Sequence, residues 1–144
     1  MMPPVCESAG RRAPGVAMRD DVRILVIDDD DVLRGNIRDL LELEGHIVRS
    51  ARDGRQGIQA MSVFRPDLVL CDIMMRDLDG YEVLRTLRAD ARLASTPFIF
   101  LTARAEKSDI QAGLQQGANA YITKPFTRDQ LIGAIISATG ADAT

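Results

Sequence analysis

Short apolar runs alternate with amphipathic stretches from residue 22 onward, and this alternation restricts the chain to a small set of folds. The apolar runs are four to six residues long, which is typical of strands, and the amphipathic stretches carry apolar residues at helical spacing. Five strand–helix pairs predict an α/β protein whose parallel sheet is covered by helices on both faces. The predicted strands are Val22–Ile27, His46–Ala51, Asp67–Cys71, Pro97–Leu101 and Ala120–Thr123, and the predicted helices are Val32–Glu44, Asp53–Phe64, Gly80–Ala89, Ala105–Gln116 and Arg128–Ala138.

Composition excludes several classes of function. A chain of 144 residues suits one domain, which we place at 21–139, between an expected disordered tail at 1–20 and a short tail at 140–144. The net charge of −3 provides no basic field for nucleic acid. No apolar run approaches the roughly 20 residues that a membrane-spanning helix needs. Cys6 and Cys71 suit neither a disulfide framework nor a metal site, so a reducing cytoplasm is the expected location.

Polar side chains follow four of the predicted strands. Asp28 and Asp29 come after the first strand, Asp72 after the third, Thr102 after the fourth and Lys124 after the fifth. The carboxyl ends of parallel strands lie at one edge of the sheet, and ligands bind there near the point where the strand order reverses. We therefore expect these five side chains to converge on one site.

The charges of that site favour a metal ion. Two unit charges about 4 Å apart repel by about 4 kcal/mol at an effective dielectric near 20, and one lysine cannot offset three ionised aspartates. Either some of the carboxyl pKa values rise or a cation binds. Oxygen-only ligands favour Mg²⁺. A metal ion beside a lysine is also typical of phosphoryl-transfer sites, which act largely by positioning groups and neutralising charge. Because no nucleotide-binding glycine motif follows the first strand, an aspartate is a candidate phosphoryl acceptor.

The chain resembles the receiver domains of bacterial two-component response regulators, the chemotaxis regulators among them. The resemblance covers residues 22–138 and implies a doubly wound, flavodoxin-like α/β fold of five strands in the order 2-1-3-4-5, with five helices. It implies a signalling domain rather than an enzyme with a diffusing substrate. The matching segments are ILVIDD (24–29), CDIMMRDLDGYEVL (71–84), FLTA (100–103), GANAYITKPF (117–126) and the closing helix.

The resemblance also implies a role for each residue of the site. Asp72 would accept the phosphoryl group from the phosphohistidine of a histidine kinase. Asp29, Asp72 and the backbone carbonyl of Met74 would bind Mg²⁺ directly, and Asp28 would act mostly through a bound water. Lys124 would pair with Asp72 and then with a phosphoryl oxygen.

Two further residues would transmit the signal. Thr102 would hydrogen-bond the phosphoryl group, and Tyr121 would follow as an aromatic switch, although packing alone would also explain an aromatic residue in the fifth strand. The face formed by the fourth helix, the fifth strand and the fifth helix would change its affinity for partners. The Lys124-Pro125 peptide bond is expected to be cis.

One position departs from the family pattern. Receiver domains usually read D-x-x-M-P after the acceptor, and Arg76 stands in place of that proline. We expect Arg76 to loosen the loop or to add a cation near the site without touching a ligand. Met74 and Arg104 occupy positions that in the family tune dephosphorylation, and a bulky Met74 is hypothesised to hinder the attacking water.

The run Asp28-Asp29-Asp30-Asp31 is expected to divide between two roles. The first two aspartates belong to the metal pocket, while Asp31 is predicted to cap the first helix and Asp30 to face water. A register one residue later would place Asp29 and Asp30 in the pocket instead. The earlier register is preferred because the acid pair of the family directly follows the last apolar strand residue, here Ile27.

Three functions therefore compete. The first is a phosphorylation-dependent switch, either a stand-alone receiver or one excised from a longer regulator, because the chain leaves no room for an output domain. Its partners would be a sensor histidine kinase or a phosphotransfer protein, and a downstream protein, but neither nucleic acid nor a membrane. The switch itself would be a monomer or a phosphorylation-induced dimer. The second is a Mg²⁺-dependent phosphatase with an aspartyl nucleophile, disfavoured because Val32 stands where that class has threonine. The third is a degenerate receiver that only binds partners.

Overall fold

Five short strands form one parallel sheet in the computed structural model, which describes residues 22–103, 111 and 114–140. The spatial order is β2-β1-β3-β4-β5, so the predicted 2-1-3-4-5 topology is confirmed. The order reverses between β1 and β3, which are neighbours in the sheet although β2 lies between them in sequence. The strands are β1 Arg23–Ile27, β2 Ile47–Ala51, β3 Leu68–Asp72, β4 Phe98–Thr102 and β5 Ala120–Thr123.

Four helices are bounded within the described residues. They are α1 Asp31–Leu43, α2 Gly54–Phe64, α3 Gly80–Ala89 and α4 Arg128–Thr139. The helix predicted at 105–116 falls mostly outside the described residues, as do the predicted tails apart from Gly140. Among the residues that the structure describes, no helix combines the length and the apolar character needed to cross a membrane.

The helices cover the sheet on both faces, which creates two apolar layers. Helices α1 and α4 contribute Ile37, Leu41, Leu131 and Ile135 to one layer. Helices α2 and α3 contribute side chains of the other layer, among them Met61, Phe64, Val83, Leu84 and Leu87. Every residue of β3 and β4 is buried, and full burial of one large apolar side chain stabilises the fold by about 1.5–3 kcal/mol. The central strands therefore form a rigid base for the residues that follow them.

The first helix begins one residue earlier than expected. Asp30 has extended backbone angles and caps the helix, since its carboxylate accepts hydrogen bonds from the N–H groups of Val32 and Leu33, both at 3.1 Å. Asp31 is the first helical residue, and its exposed carboxylate pairs with Arg34 at 2.6 Å. The prediction that Asp31 caps this helix is therefore wrong, because the cap must be the last extended residue before the helix. Asp30 is exposed, as predicted, but its carboxylate also serves as the cap.

Candidate metal centre

Three carboxylates meet at the carboxyl edge of the sheet. Ile27 of β1 pairs with Cys71 of β3, so the residues that follow these strands lie side by side. Asp28, Asp29 and Asp72 each offer a carboxylate oxygen, and these oxygens lie within 4.8 Å of one another. Asp28 and Asp72 are buried, whereas the side chain of Asp29 is 24% exposed. The acid pair is therefore Asp28 and Asp29, as in the preferred register.

Hydrogen bonds hold Asp28 in place between β1 and α1. Its backbone N–H donates to the carbonyl of Ala51 at 3.1 Å, and its own carbonyl accepts from the Arg34 guanidinium at 2.7 Å. Its carboxylate oxygen Oδ1 accepts from the N–H of Asp30 at 2.9 Å. The cap residue of α1 is thus also a support for the buried carboxylate.

Lys124 enters the same site from the end of β5. Its Nζ lies 2.8 Å from Oδ2 of Asp28 and 3.5 Å from Oδ2 of Asp72, so Asp28 is the nearer partner. The Lys124 N–H donates to the carbonyl of Thr102 at 2.7 Å, and the bond to Pro125 is cis. Burial alone would lower the pKa of Lys124, but the two carboxylates outweigh it and raise this pKa above its usual value.

Burial dominates the electrostatics of Asp72. Loss of solvent and repulsion from Asp28 raise the pKa of Asp72 to about 6, although Lys124 and the Met74 N–H act in the opposite direction. The Met74 N–H donates to Oδ1 of Asp72 over 3.4 Å, which is a weak hydrogen bond. One lysine therefore leaves negative charge uncompensated at this edge of the sheet.

The donor set fits a hard divalent cation. All three donors are carboxylate oxygens, the ligand type that Mg²⁺ prefers, and they lie within 4.8 Å of one another. Mg²⁺ commonly takes one or two carboxylates and keeps several waters, which matches a site that is open on the side of Asp29. A bound Mg²⁺ would neutralise the charge that Lys124 leaves unbalanced.

A close backbone approach holds the loop after β3 against the site. The N–H of Gly80 donates to the carbonyl of Ile73 at 2.8 Å. A Cβ atom at Gly80 would lie 2.5 Å from the backbone oxygen of Asp72, closer than real Cβ atoms come. Glycine at this position therefore lets α3 start directly beside the candidate acceptor.

Asp77 anchors the middle of the same loop to another helix. Its carboxylate accepts from the N–H groups of Gly54 at 3.0 Å and Arg55 at 2.9 Å, at the start of α2. Burial would raise the pKa of Asp77, but these backbone hydrogen bonds lower it below its usual value. Sequence reasoning missed this residue, because the contact joins positions 22 and 23 apart in the chain and no local motif signals it.

Arg76 lies on the outer side of the acid cluster. Its side chain is 88% exposed, and its Nε lies 3.7 Å from Oδ2 of Asp29. The expectation that Arg76 would not touch a predicted ligand is therefore wrong. The reason is that Asp29 follows β1 and Arg76 follows β3, and these two strands are paired neighbours, so their loops lie at the same edge of the sheet.

Three of the remaining predicted residues lie within the described part of the chain, and one lies outside it. Thr102 is buried at the end of β4 and pairs in register with Thr123 of β5. Tyr121 of β5 is 42% exposed, and the Met74 side chain is 74% exposed. Arg104 lies outside the described residues.

Sequence comparison finds response regulators. The family model described as the response regulator receiver domain matches residues 24–136. The response regulator MprA of Mycolicibacterium vanbaalenii is 43% identical over 111 residues, which are 77% of this chain and 47% of that protein. The transcriptional regulatory protein CseB of Streptomyces coelicolor is 37% identical over 118 residues, 82% of this chain and 49% of that protein. The chain thus spans about half the length of these curated relatives.

Solved structures with the same fold include receiver domains. The chemotaxis protein CheY4 of Vibrio cholerae matches with a TM-score of 0.79 and 26% identity, over 85% of this chain and 99% of that chain. The receiver domain of the sensor histidine kinase PA1611 from Pseudomonas aeruginosa matches with a TM-score of 0.77 and 33% identity, over 83% of this chain and 98% of that chain. The latter structure has a magnesium ion coordinated in its active-site cleft.

Proposed function

We propose that this chain, which belongs to the response regulator receiver domain family, is a switch controlled by phosphorylation of Asp72. The observation that carries the proposal is the convergence of three carboxylates and Lys124 at the point where the strand order reverses. This grouping unites a nucleophile, metal-binding oxygens and a cation in one place, as phosphoryl transfer requires. The phosphoryl donor would be the phosphohistidine of a sensor histidine kinase or of a phosphotransfer protein.

The transfer step uses the side chain of Asp72. A carboxylate oxygen attacks the phosphorus atom, the P–N bond of the donor breaks, and the histidine ring leaves with the bonding electron pair and takes up a proton. Burial raises the pKa of Asp72 to about 6, which still lies below pH 7.5, so the ionised, nucleophilic form of the carboxylate prevails there. Mg²⁺, held by Asp29, Asp72 and the Met74 carbonyl, supplies charge neutralisation when bound.

Lys124 stabilises the product of the step. Its Nζ already lies 3.5 Å from Asp72 and is also held by Asp28, so a small displacement takes the ammonium to a phosphoryl oxygen. Asp28 remains as the buried carboxylate that keeps Lys124 charged and directed into the site. In this scheme Asp28 reaches the metal mostly through water.

Thr102 and Tyr121 carry the change to the partner face. Thr102 ends β4 beside the acceptor strand, where its hydroxyl is expected to donate to a phosphoryl oxygen. Tyr121 lies on the adjacent strand and is partly exposed, which supports a reorientation of its ring when Thr102 moves. The proposed docking face for downstream proteins includes β5 and α4; its third predicted element, the helix at 105–116, falls mostly outside the described residues.

The decisive experiment is phosphorylation by a small donor. The full chain is incubated with acetyl phosphate and Mg²⁺, and its intact mass is measured. The expected gain of one phosphoryl group disappears with EDTA and in Asp72→Asn, but persists in Asp39→Asn, which removes the same charge from the exposed side of α1. If the folded wild-type protein gains no mass, the hypothesis of a degenerate receiver is favoured. If Asp72→Asn still gains the mass, another residue accepts the phosphoryl group.

A further inference from the structure

Two cations contact the acid cluster, one largely buried and one exposed. Lys124 approaches from within the fold, where it contacts the buried carboxylates of Asp28 and Asp72. Arg76 approaches from solvent and contacts Asp29, the most exposed of the three aspartates. The sequence predicted Lys124 in the site and offered Arg76 as a cation near it, but it did not predict the contact between Arg76 and Asp29. Arg76 occupies the position where receiver domains usually have proline.

We propose that Arg76 is a tethered counter-ion of Asp29 that competes with Mg²⁺ and lowers the affinity of the site for the metal. The proposal rests on the function proposed above, since it assumes that the three carboxylates bind Mg²⁺. Arg76 acts here by positioning charge at the site and takes no part in the chemical step. Its effect would set the Mg²⁺ concentration at which the chain becomes competent for phosphorylation.

The open side of the site is the side that Arg76 occupies. Asp28 is fully buried and the side chain of Asp72 is 10% exposed, so a hydrated cation arriving from solvent meets Asp29 first. The Arg76 Nε lies 3.7 Å from Oδ2 of Asp29 and thus already neutralises part of the charge that attracts the cation. A divalent ion bound to Asp29 must therefore displace the guanidinium or remain beside it.

The loop keeps Arg76 near Asp29 even though its side chain is exposed. The next residue, Asp77, is bound to the N-terminus of α2 by two backbone hydrogen bonds, and Gly80 is bound to Ile73. The backbone at Arg76 is consequently held between two anchors. A guanidinium on such a backbone stays at high local concentration near the carboxylate, although any single ion pair with it is weak.

The expected size of the effect follows from Coulomb's law. A guanidinium about 6 Å from a divalent ion in a water-like dielectric weakens the binding of that ion about tenfold. Screening by salt and movement of the side chain into solvent reduce this factor. Removal of the charge at Arg76 should therefore tighten Mg²⁺ binding by about threefold to tenfold at low ionic strength.

The test is a calorimetric titration of the full chain with MgCl₂ alone. Wild type is compared with Arg76→Gln, which removes the charge, and with Arg76→Lys, which retains it. Arg38→Gln is the control, because Arg38 is a half-exposed arginine that is likewise paired with an aspartate, Asp39 at 3.3 Å, but lies in α1. Each titration is repeated in 0.5 M KCl, which reduces the Debye length to about 4 Å. Unfolding in EDTA verifies that each variant is folded.

We expect Arg76→Gln to bind Mg²⁺ about threefold to tenfold more tightly, Arg76→Lys and Arg38→Gln to stay within twofold of wild type, and the difference to shrink in high salt. Equal or weaker binding by Arg76→Gln would overturn the role of Arg76 and leave the proposed function intact. Equal tightening by Arg38→Gln would also overturn it, because the effect would then come from net charge. Absence of Mg²⁺ binding by every variant would overturn the proposed function itself.

Discussion

Replacement of Asp72 by asparagine should stabilise the metal-free protein. The structure buries this carboxylate beside Asp28 and raises its pKa from 3.8 to about 6. A carboxyl group whose pKa is raised by folding contributes stability at pH values below its unfolded pKa, and that contribution is lost as the pH rises through the folded pKa. At neutral pH, therefore, the ionised Asp72 destabilises the fold, and the neutral amide of Asp72→Asn removes the penalty.

The magnitude follows from the size of the shift. Roughly two pKa units at about 1.4 kcal/mol each amount to about 3 kcal/mol at pH 7.5. An asparagine amide must still find hydrogen-bond partners in this buried position, so the expected gain in the free energy of unfolding is about 1–3 kcal/mol. At pH 5 the wild-type carboxyl group is mostly protonated in the folded protein, and about half of the advantage of Asp72→Asn should disappear.

Equilibrium unfolding in urea, with EDTA present, measures both effects. Wild type, Asp72→Asn and Asp39→Asn are compared at pH 7.5 and pH 5, since Asp39→Asn makes the same chemical change at an exposed site. Saturating Mg²⁺ should reverse the order of wild type and Asp72→Asn, because a ligand that binds only the folded state stabilises it. The reasoning fails if Asp72→Asn is no more stable than wild type in EDTA at pH 7.5, or if Asp39→Asn gains as much.

Two other substitutions test the loop that follows β3. Asp77→Ala removes the acceptor for two N–H groups at the start of α2 and should lower the free energy of unfolding by about 1–2 kcal/mol, measured in urea, whereas Asp77→Asn keeps a side-chain oxygen and should lose less. An Asp77→Ala protein as stable as wild type would contradict the anchoring role. Met74→Asn should shorten the lifetime of the acyl phosphate several-fold, because an exposed apolar side chain beside Asp72 is replaced by one that can bind the attacking water. The rate at which the phosphoryl mass is lost measures this, Val63→Asn on α2 is an equally exposed control, and an unchanged lifetime would contradict the hypothesis.

Local sequence patterns were sufficient to predict the strands, the positions of the helices and the position of the site. The bounds of α3 and β5 were predicted to the residue, and those of the other bounded elements within one residue at each end, because apolar periodicity and cap residues are local properties. The reversal of strand order between β1 and β3 brings the ends of these strands together. For this reason Asp28, Asp29 and Asp72 could be grouped before their distances were known.

Cap positions were less predictable in a run of identical residues. Any of the four aspartates 28–31 can cap a helix, and the choice depends on which residue is the last with extended backbone angles. Asp30 is that residue, and its N–H also donates to Oδ1 of the buried Asp28. Periodicity and composition alone do not show where the extended backbone ends within such a run.

The sequence by itself determined the α/β sheet, its apolar layers and the set of side chains at its carboxyl edge, because these follow from periodicity and from the geometry of parallel strands. Only the tertiary structure decided how the charges pair within that set. Lys124 lies closer to Asp28 than to Asp72, Arg76 lies against Asp29, and Asp77 holds the start of α2. Each of these contacts joins separate loops, and its length depends on how closely the strands and helices pack, which no local pattern specifies.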